Sequence, residues 1–523
     1  MSDSLRRVFA IVRGDFLLRF RRPSTLVVFL LLSAFAYLWV PDPATGRTLL
    51  QINGQRAIYN SAALGMATAS VGMIFVGLFG FYVISNAIRR DVVSRCGLVI
   101  ASTPMRSVEY LLGKFLGNVA FLATFLAGFM LSSMAMQIVR GEAAFEPLVF
   151  VRQYLLLTPP TLVFVSAIAV LFEAIPWLSG KLGDVLYFFL WMAASGVVIS
   201  QDARTGAIGW WKYVDLSGFG FMIEQLQQKL HTESVSIGAS PFDPTKPTIV
   251  FNGLSLPPAW VWPRIVSMLF PLAFLPLAAL FFHRFDPVRT RRTAEKGRRN
   301  WWGRLQMLFK PVTRRAVAVL ARPGRGKSLA AAIWTDAMLT LTLSPIAFLA
   351  FVGLSVAALV VGRALATLPF TFLALALVIA DSGTRDLRAG TTAMLYAAPR
   401  LRENFVWWKL GSTCVLAIMF CAVPLALSAS VSPARCGAIL LGAIFVGTLA
   451  LALGVLTRNP KTFLVGFLSF WYVTLNDKGA SPALDFAGFY GGATTRTLAI
   501  YGSLTLGAVV LAQTTHRWRL ARS

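Results

Sequence analysis

Ile88-Arg-Arg-Asp-Val-Val-Ser-Arg-Cys-Gly-Leu-Val-Ile-Ala-Ser-Thr-Pro-Met-Arg-Ser-Val-Glu-Tyr-Leu-Leu-Gly-Lys114 lies between two long apolar runs. Thr384-Arg-Asp-Leu-Arg-Ala-Gly-Thr-Thr-Ala-Met-Leu-Tyr-Ala-Ala-Pro-Arg-Leu-Arg-Glu-Asn-Phe-Val-Trp-Trp-Lys409 lies between two more. Arg90-Asp91, Pro104 and Lys114 of the first stretch return as Arg385-Asp386, Pro399 and Lys409, every member displaced by 295 residues and no gap needed. A charged loop that only anchors topology needs cations. It has no reason to fix an Asp, a Pro 13 residues later and a Lys ten beyond that.

Outward from this stretch the duplication continues. Asp215-Leu-Ser-Gly218-Phe219 is matched by Asp485-Phe-Ala-Gly488-Phe489 at an offset of 270, and His283-Arg284-Phe285 by His516-Arg517-Trp518 at 233. The falling offset makes the first half longer, chiefly through 37 extra residues between the Asp and the His, in segment 201–261. An ordered repeat of this kind organises the whole fold.

Only 14% of the 523 residues are charged and 56% are hydrophobic, against about 25% charged in an ordinary soluble domain. A helix crosses the hydrocarbon with roughly 20 apolar residues because its backbone N–H and C=O groups must be satisfied within the segment. Windows of this kind fall at 24–40, 61–87, 113–138, 154–175, 183–200 and 264–282, and again at 342–361, 364–381, 408–427, 436–456, 461–476 and 497–515. The expectation is an all-α integral membrane protein with about twelve spans in two six-helix halves. Both halves then have the same orientation, as in parallel-repeat transporters. No small-residue cleavage site follows the first run, so that run is expected to stay in the mature protein.

The net charge of +27 would suggest nucleic acid in a soluble protein, but here its placement decides. With both termini cytoplasmic, the Lys and Arg residues concentrate in the inner segments, as the positive-inside bias requires. Residues 284–330 hold 14 Lys and Arg against Asp286 and Glu295, which suits an anionic inner leaflet; nucleic acid is not expected as a partner. The organisation read from this is an N-terminal amphipathic interfacial helix (1–23), a first transmembrane half (24–286) with its external insertion, a basic cytoplasmic linker (287–330) and a second half (331–523). In the N-terminal helix Leu5, Val8, Phe9, Val12, Phe16 and Phe20 form a stripe, with Arg6, Arg13 and Arg19 outside it. Residues 328–341, with Ala332, Trp334, Leu339 and Leu341, are expected to serve the second half likewise.

The loop at 88–112 predicts one short interfacial helix with Val92, Leu98 and Val99 on a face apart from Arg89 and Arg95, ending at Thr103-Pro104 because a residue before proline leaves the α region. Here the chain resembles the permeases of the type 2 (ABC-2) class of ATP-binding-cassette transporters. Their loop between spans two and three looks like Arg90-Asp91, Ser102-Thr103-Pro104 and Tyr110-Leu111-Leu112-Gly113-Lys114. The second half keeps Arg385-Asp386, Ala398-Pro399 and Lys409 but puts Trp407-Trp408 before the lysine. The resemblance implies an exporter's transmembrane subunit, two halves fused in one chain, with coupling loops that seat in two copies of a cytoplasmic ATPase. Arg89, Arg90, Asp91, Arg95, Pro104 and Lys114, and Arg385, Asp386, Arg388, Pro399 and Lys409, are then the coupling residues. ATP and magnesium belong to that partner, and this chain is not itself an enzyme and needs no cofactor. The location implied is the cell membrane.

Ala321-Arg-Pro-Gly-Arg-Gly-Lys327-Ser328 satisfies a relaxed phosphate-loop pattern. Alanine stands where the strict form wants glycine, and the soluble stretch between the halves is too short for a nucleotide-binding domain of roughly 100 residues. Cys96, Cys414, Cys421 and Cys436 form no CxxC pair, and His231, His283 and His516 build no metal site or catalytic triad. His283 and His516 are expected to anchor at the interface. Glu173, Lys181 and Asp381 read as snorkelling residues at span ends. Pro159-Pro160 predict a kink in the fourth span. The insertion, with a helix from Ile223 to Leu230 and an extended stretch after it, is expected to cap the external side and to offer a surface to an external partner. Two other classes stay open. A proton-coupled twelve-helix carrier of the major facilitator type predicts acidic residues deep in the spans; a membrane enzyme predicts polar residues gathered at one interface.

Overall fold

The computed structural model describes residues 3–199, 209–230, 234–282, 328–343, 345–362, 364–429 and 432–521, with isolated residues 285, 311 and 324. Most of the linker, the phosphate-loop look-alike, His231 and His283-Arg284 lie outside these residues. The chain forms two compact units, Met1–Ala294 and Glu295–Ser523, which divide within the predicted linker.

The first unit runs α1 (Asp3–Phe20), α2 (Pro23–Trp39), β1 (Arg47–Ile52), β2 (Gln55–Arg56), α3 (Ser61–Phe75), α4 (Phe81–Ile84), α5 (Ala87–Val93), α6 (Cys96–Ser102), α7 (Ser107–Arg140), α8 (Pro147–Leu157), α9 (Pro159–Ala174), α10 (Lys181–Ile199), α11 (Phe219–Leu230), β3 (Val235–Pro241), α12 (Pro258–Leu269) and α13 (Phe274–Phe281). The second runs α14 (Leu329–Leu343), α15 (Pro345–Val361), α16 (Ala364–Ile379), α17 (Arg385–Ala389), α18 (Thr392–Tyr396), α19 (Pro399–Glu403), α20 (Phe405–Ala429), α21 (Pro433–Thr457), α22 (Pro460–Asp477) and α23 (Thr495–Leu520). Among the described residues six helices are long and apolar enough to cross a membrane, or up to nine if each of three bent pairs is one span. The chain is a predominantly helical, membrane-embedded protein.

The bends have identifiable causes. The break between α8 and α9 turns by 43° at Thr158, before Pro159-Pro160, where the two prolines remove successive backbone donors. The donor that Pro160 withholds from the Leu156 carbonyl is supplied from a distant helix. Buried Arg264 on α12 donates through Nη2 to the carbonyls of Leu156 at 2.6 Å and Leu157 at 3.1 Å. A π-helical turn at Val76–Gly80 joins α3 to α4, and its Gly77 carbonyl accepts from the Tyr187 hydroxyl. Tyr187 stacks on Phe81 with ring centroids 3.9 Å apart.

The insertion departs from expectation in two respects. Its helix starts at Phe219, four residues earlier than Ile223, and the extended stretch becomes a strand. β3 pairs antiparallel with β1, with Leu50 opposite Ile237 and Ile52 opposite Val235. The sheet order is β2-β1-β3. The β1–β2 hairpin turns on Asn53-Gly54, both with positive φ, the backbone that a two-residue type I′ turn requires. The segment between α15 and α16, which is equivalent in order, is two residues long, and among the described residues the second unit has no such layer.

The core of the second unit gathers Phe372, Leu416, Phe420, Ile439, Phe486, Phe489 and Tyr501. In both units the helix before the first apolar helix lies along the helix after the charged loop, α1 on α7 and α14 on α20. Small residues allow the approach. A Cβ at Gly113 would come within 2.8 Å of Ile11, and one at Gly411 within 2.5 Å of Ile333. Trp408 occupies the position equivalent to Gly113, and the close approach moves three residues along, to Gly411.

Candidate functional site: a repeated charge cluster

The loop is not one helix. α5 and α6 are separated at Ser94-Arg95, with Arg95 in the left-handed region at φ 61°. The residue 295 positions later is Gly390, at φ 71°. The same turn is thus built twice, once on glycine and once on an arginine that pays a steric cost between Cβ and the carbonyl. Thr103 is extended and ends α6 before Pro104 as its sequence predicts. Pro399 instead opens a further short helix, α19, where a missing N–H is harmless at the first position.

Lys114, at 4% side-chain exposure, ion-pairs with Asp15 at 2.9 Å and with Asp91 at 2.8 Å. Lys409, at 0%, ion-pairs with Asp336 and Asp386, both at 2.9 Å. The repeated Asp and Lys of the sequence therefore meet in both units, and each pair recruits a third member, an aspartate on a preceding helix, α1 in the first unit and α14 in the second. One ammonium ties together three elements: α1, α5 and α7 in the first unit, and α14, α17 and α20 in the second.

The first cluster carries additional cations. Arg19 pairs with Asp15 at 2.7 Å, Arg90 bonds the same carboxylate, and the Tyr110 hydroxyl donates to Asp91 at 2.7 Å. Arg19, expected to lie outside the apolar stripe, is buried in this cluster and also bonds the Ile84 carbonyl. In the second unit Ser412 donates to Asp336 at 2.5 Å, while Arg385 turns away to Asp381 at 3.0 Å and Thr340 at 2.6 Å. The Lys409 ammonium lies 4.1 Å from the Trp408 ring centroid.

Glu173 is not a snorkelling residue. Its carboxylate accepts from the N–H groups of Ala87 at 3.0 Å, Ile88 at 2.6 Å and Arg89 at 3.3 Å, capping α5 where orphan donors and the helix dipole favour an anion. Asp381 is likewise paired, and Lys181 begins α10.

The loop residues divide by exposure. Lys114, Asp91 and Lys409 are buried, Asp386 and Arg90 are half-buried, and Arg89, Arg95, Pro104 and Arg388 are exposed. Between these cations lies an exposed apolar set, Val92, Val93, Leu98 and Val99, with Val93 at 76%; Leu387 and Met394, the latter at 78%, are exposed in the second loop. Burial and the neighbouring Asp386 push the Tyr396 hydroxyl above its ordinary value.

The Asp-x-x-Gly-Phe pairs form the same turn twice. Asp215 is fully buried and accepts from Phe221 N–H at 2.9 Å, and Asp485 accepts from Phe489 and Tyr490 N–H at 2.5 and 3.1 Å. Gly218 and Gly488 adopt φ of 72° and 71°. Phe219 is half-buried and Phe489 buried. His516 is buried rather than anchored at a surface: its ring stacks on Phe405 at 5.1 Å and its Nε2 lies 2.9 Å from the Arg402 carbonyl oxygen.

Asp15, Asp336 and Arg264 escape sequence reading, and Glu173 is singled out there only as a span-end residue. Asp15 and Asp336 are 321 apart instead of 295, so the gapless repeat does not pair them. An acid in the interior of each of α1 and α14 is the signal that was available. Among the described residues no group of three or more His, Cys, Asp and Glu is placed to hold a metal. Comparison with protein families, with curated proteins and with solved structures returns no match in any of the three.

Proposed function

We propose that this chain is the permease of an ATP-driven exporter of the ABC-2 type, with twelve spans in two six-helix halves, both termini cytoplasmic, and two loops that each receive a separate ATPase subunit. The observation that carries the reading is the Asp–Lys–Asp cluster found once in each unit. Each cluster fastens a short loop to an interfacial helix and to the start of a long apolar helix through one buried ammonium, so a push on the loop moves a rigid set rather than a flexible connection. In this reading Asp91, Lys114, Asp386 and Lys409 hold the loops in shape. The partner is met by exposed Arg89, Arg95 and Arg388 and by the apolar set around Val93 and Met394, in keeping with interfaces whose centre is apolar and whose rim is charged. The exporter's pathway is assigned to the spans and the nucleotide chemistry to the ATPase.

The test is co-expression with candidate cassette ATPases, purification in lipid nanodiscs, and measurement of bound ATPase and hydrolysis. Wild type is expected to retain two ATPase copies. Val93→Glu with Met394→Glu, both on exposed side chains, is expected to abolish retention while leaving the purified chain folded; Asp91→Ala with Asp386→Ala is expected to weaken retention through loss of loop shape. A chain that retains no ATPase and by itself moves substrate in a proton-dependent way is a secondary carrier, and the exporter reading then falls.

A further inference from the structure

The two units differ at one place beside the clusters. In the first unit Phe285 is buried against the loop: a Cβ on Gly97 would meet its ring at 2.5 Å, and its ring centroid lies 5.3 Å from that of Tyr110. The residues 295 positions later are Thr392 and Phe405, and the residue equivalent to Phe285 in the His-Arg-aromatic repeat is Trp518, which is 54% exposed. In the second unit His516 stacks on Phe405, the residue equivalent to Tyr110, and open space remains beside that pair. It is a cavity of about 150 Å³ lined by Gly383, Thr392, Tyr396, Phe405, Arg458 and Arg519, among others.

Its charge is unbalanced. The one carboxylate on the wall, Asp386, is already paired with Lys409 at 2.9 Å. Among the described residues neither Arg458 nor Arg519 reaches a carboxylate. Arg519 bonds the carbonyls of Val455 and Leu456, the latter at 2.9 Å, so the carbonyl end of α21, which would repel an anion, is covered by a guanidinium. Arg458 follows directly at φ 55°, with its side chain exposed beside the opening. The first unit has a protein carboxylate, Glu173, bonded to the start of its loop helix. The second unit has no side-chain cap at Thr384 and presents guanidinium groups nearby.

We infer that this cavity binds a phosphate group through Arg458 and Arg519. Guanidinium donors arranged as a fork match phosphate oxygens, and such charge-assisted bonds are roughly twice as strong as neutral ones. Two sources supply that chemistry: the headgroup of an anionic phospholipid in the leaflet facing the loops, or a free phosphate.

Arg458→Gly tests the inference cleanly, because glycine favours the left-handed backbone found there and the fold is left intact. The full chain is purified in nanodiscs of phosphatidylcholine mixed with phosphatidylglycerol, and retained phosphatidylglycerol is measured by native mass spectrometry. Arg517→Gln, an exposed cation on α23, the helix that carries Arg519, but outside the cavity lining, is the control. Arg458→Gly is expected to retain phosphatidylglycerol about fivefold less well than wild type, the effect of one cation near an anionic headgroup, and Arg517→Gln to match wild type. Displacement of the lipid by added inorganic phosphate assigns the site to free phosphate, and persistence of the lipid assigns it to the headgroup; either result supports phosphate recognition. Unchanged retention in Arg458→Gly, or an equal loss in Arg517→Gln, overturns it.

Discussion

The first unit surrounds Asp15 and Asp91 with three cations, Lys114, Arg19 and Arg90, whereas the second sets Asp336 and Asp386 around Lys409 alone. The same three elements are joined in both, and the redundancy differs. Both units keep one ammonium between two carboxylates at this junction. What each adds around that core is free to diverge, because hydrogen-bonding capacity left over on the carboxylates is met by arginine and tyrosine in one unit and by a serine in the other.

That difference is most exposed by removing the lysines. Lys409→Met leaves two carboxylates with no cation and is expected to destabilise the second unit by about 3–5 kcal/mol, the range for breaking a buried ion pair from one side. Lys114→Met leaves Arg19 and Arg90 in place and should cost clearly less. Equal losses in thermal or denaturant unfolding in nanodiscs would show that the extra arginines contribute nothing.

Arg264 sharpens the comparison at the next level. The first unit breaks its fourth apolar helix at two prolines, and buried Arg264 reaches across to the carbonyls beside the break. Arg264→Met is expected to cost about 2–3 kcal/mol, since hydrogen bonds made by a charged group contribute at that level. Hydrogen exchange should rise at residues 154–162 and stay unchanged in α21.

The filled and open spaces beside the loops predict a smaller effect. Gly97→Ala drives a methyl group into the Phe285 ring and should cost about 1–3 kcal/mol, the usual range for overpacking; Thr392→Ala, at the equivalent position facing the cavity, should be close to neutral. Two equal effects would mean that the cavity of the second unit is closed in solution.

The smallest expected effect concerns the loop turn. Arg95→Gly relieves a left-handed arginine and should stabilise the first unit by about 1 kcal/mol, whereas Gly390→Ala should destabilise the second by about 1–2 kcal/mol. Opposite signs in the thermal shift are the outcome to look for; matching signs would remove the equivalence of the two turns.

Most of the helices were legible in the sequence because hydrocarbon length and backbone satisfaction leave a spanning segment little choice. Among the described residues the apolar windows overlap helices, six of them long and apolar enough to cross a membrane or up to nine if each bent pair is one span, and the kink at Pro159-Pro160 follows from chemistry that two adjacent residues carry. The turns at Gly218 and Gly488 were legible as a motif, though their left-handed backbone became evident only in three dimensions. The three-stranded sheet was missed although Asn53-Gly54 flanked by Leu49, Leu50 and Ile52 is a hairpin signal: the partner strand lies about 190 residues away, and pairing over that distance leaves no local trace.

The sequence by itself determined a membrane composition, a recurring set of motifs, and the identity of four of the six residues in the two Asp–Lys–Asp cores, because Asp91, Lys114, Asp386 and Lys409 recur at one spacing. Only the tertiary structure decided what those residues touch. An ion pair is fixed by distance in space, and Asp15 lies 99 residues from Lys114 while Asp336 lies 73 from Lys409. The same holds for Glu173 on the loop helix and Arg264 on the broken one. A charged side chain at a helix end has the same sequence signature whether it snorkels to water or caps a neighbour, and packing alone separates the two.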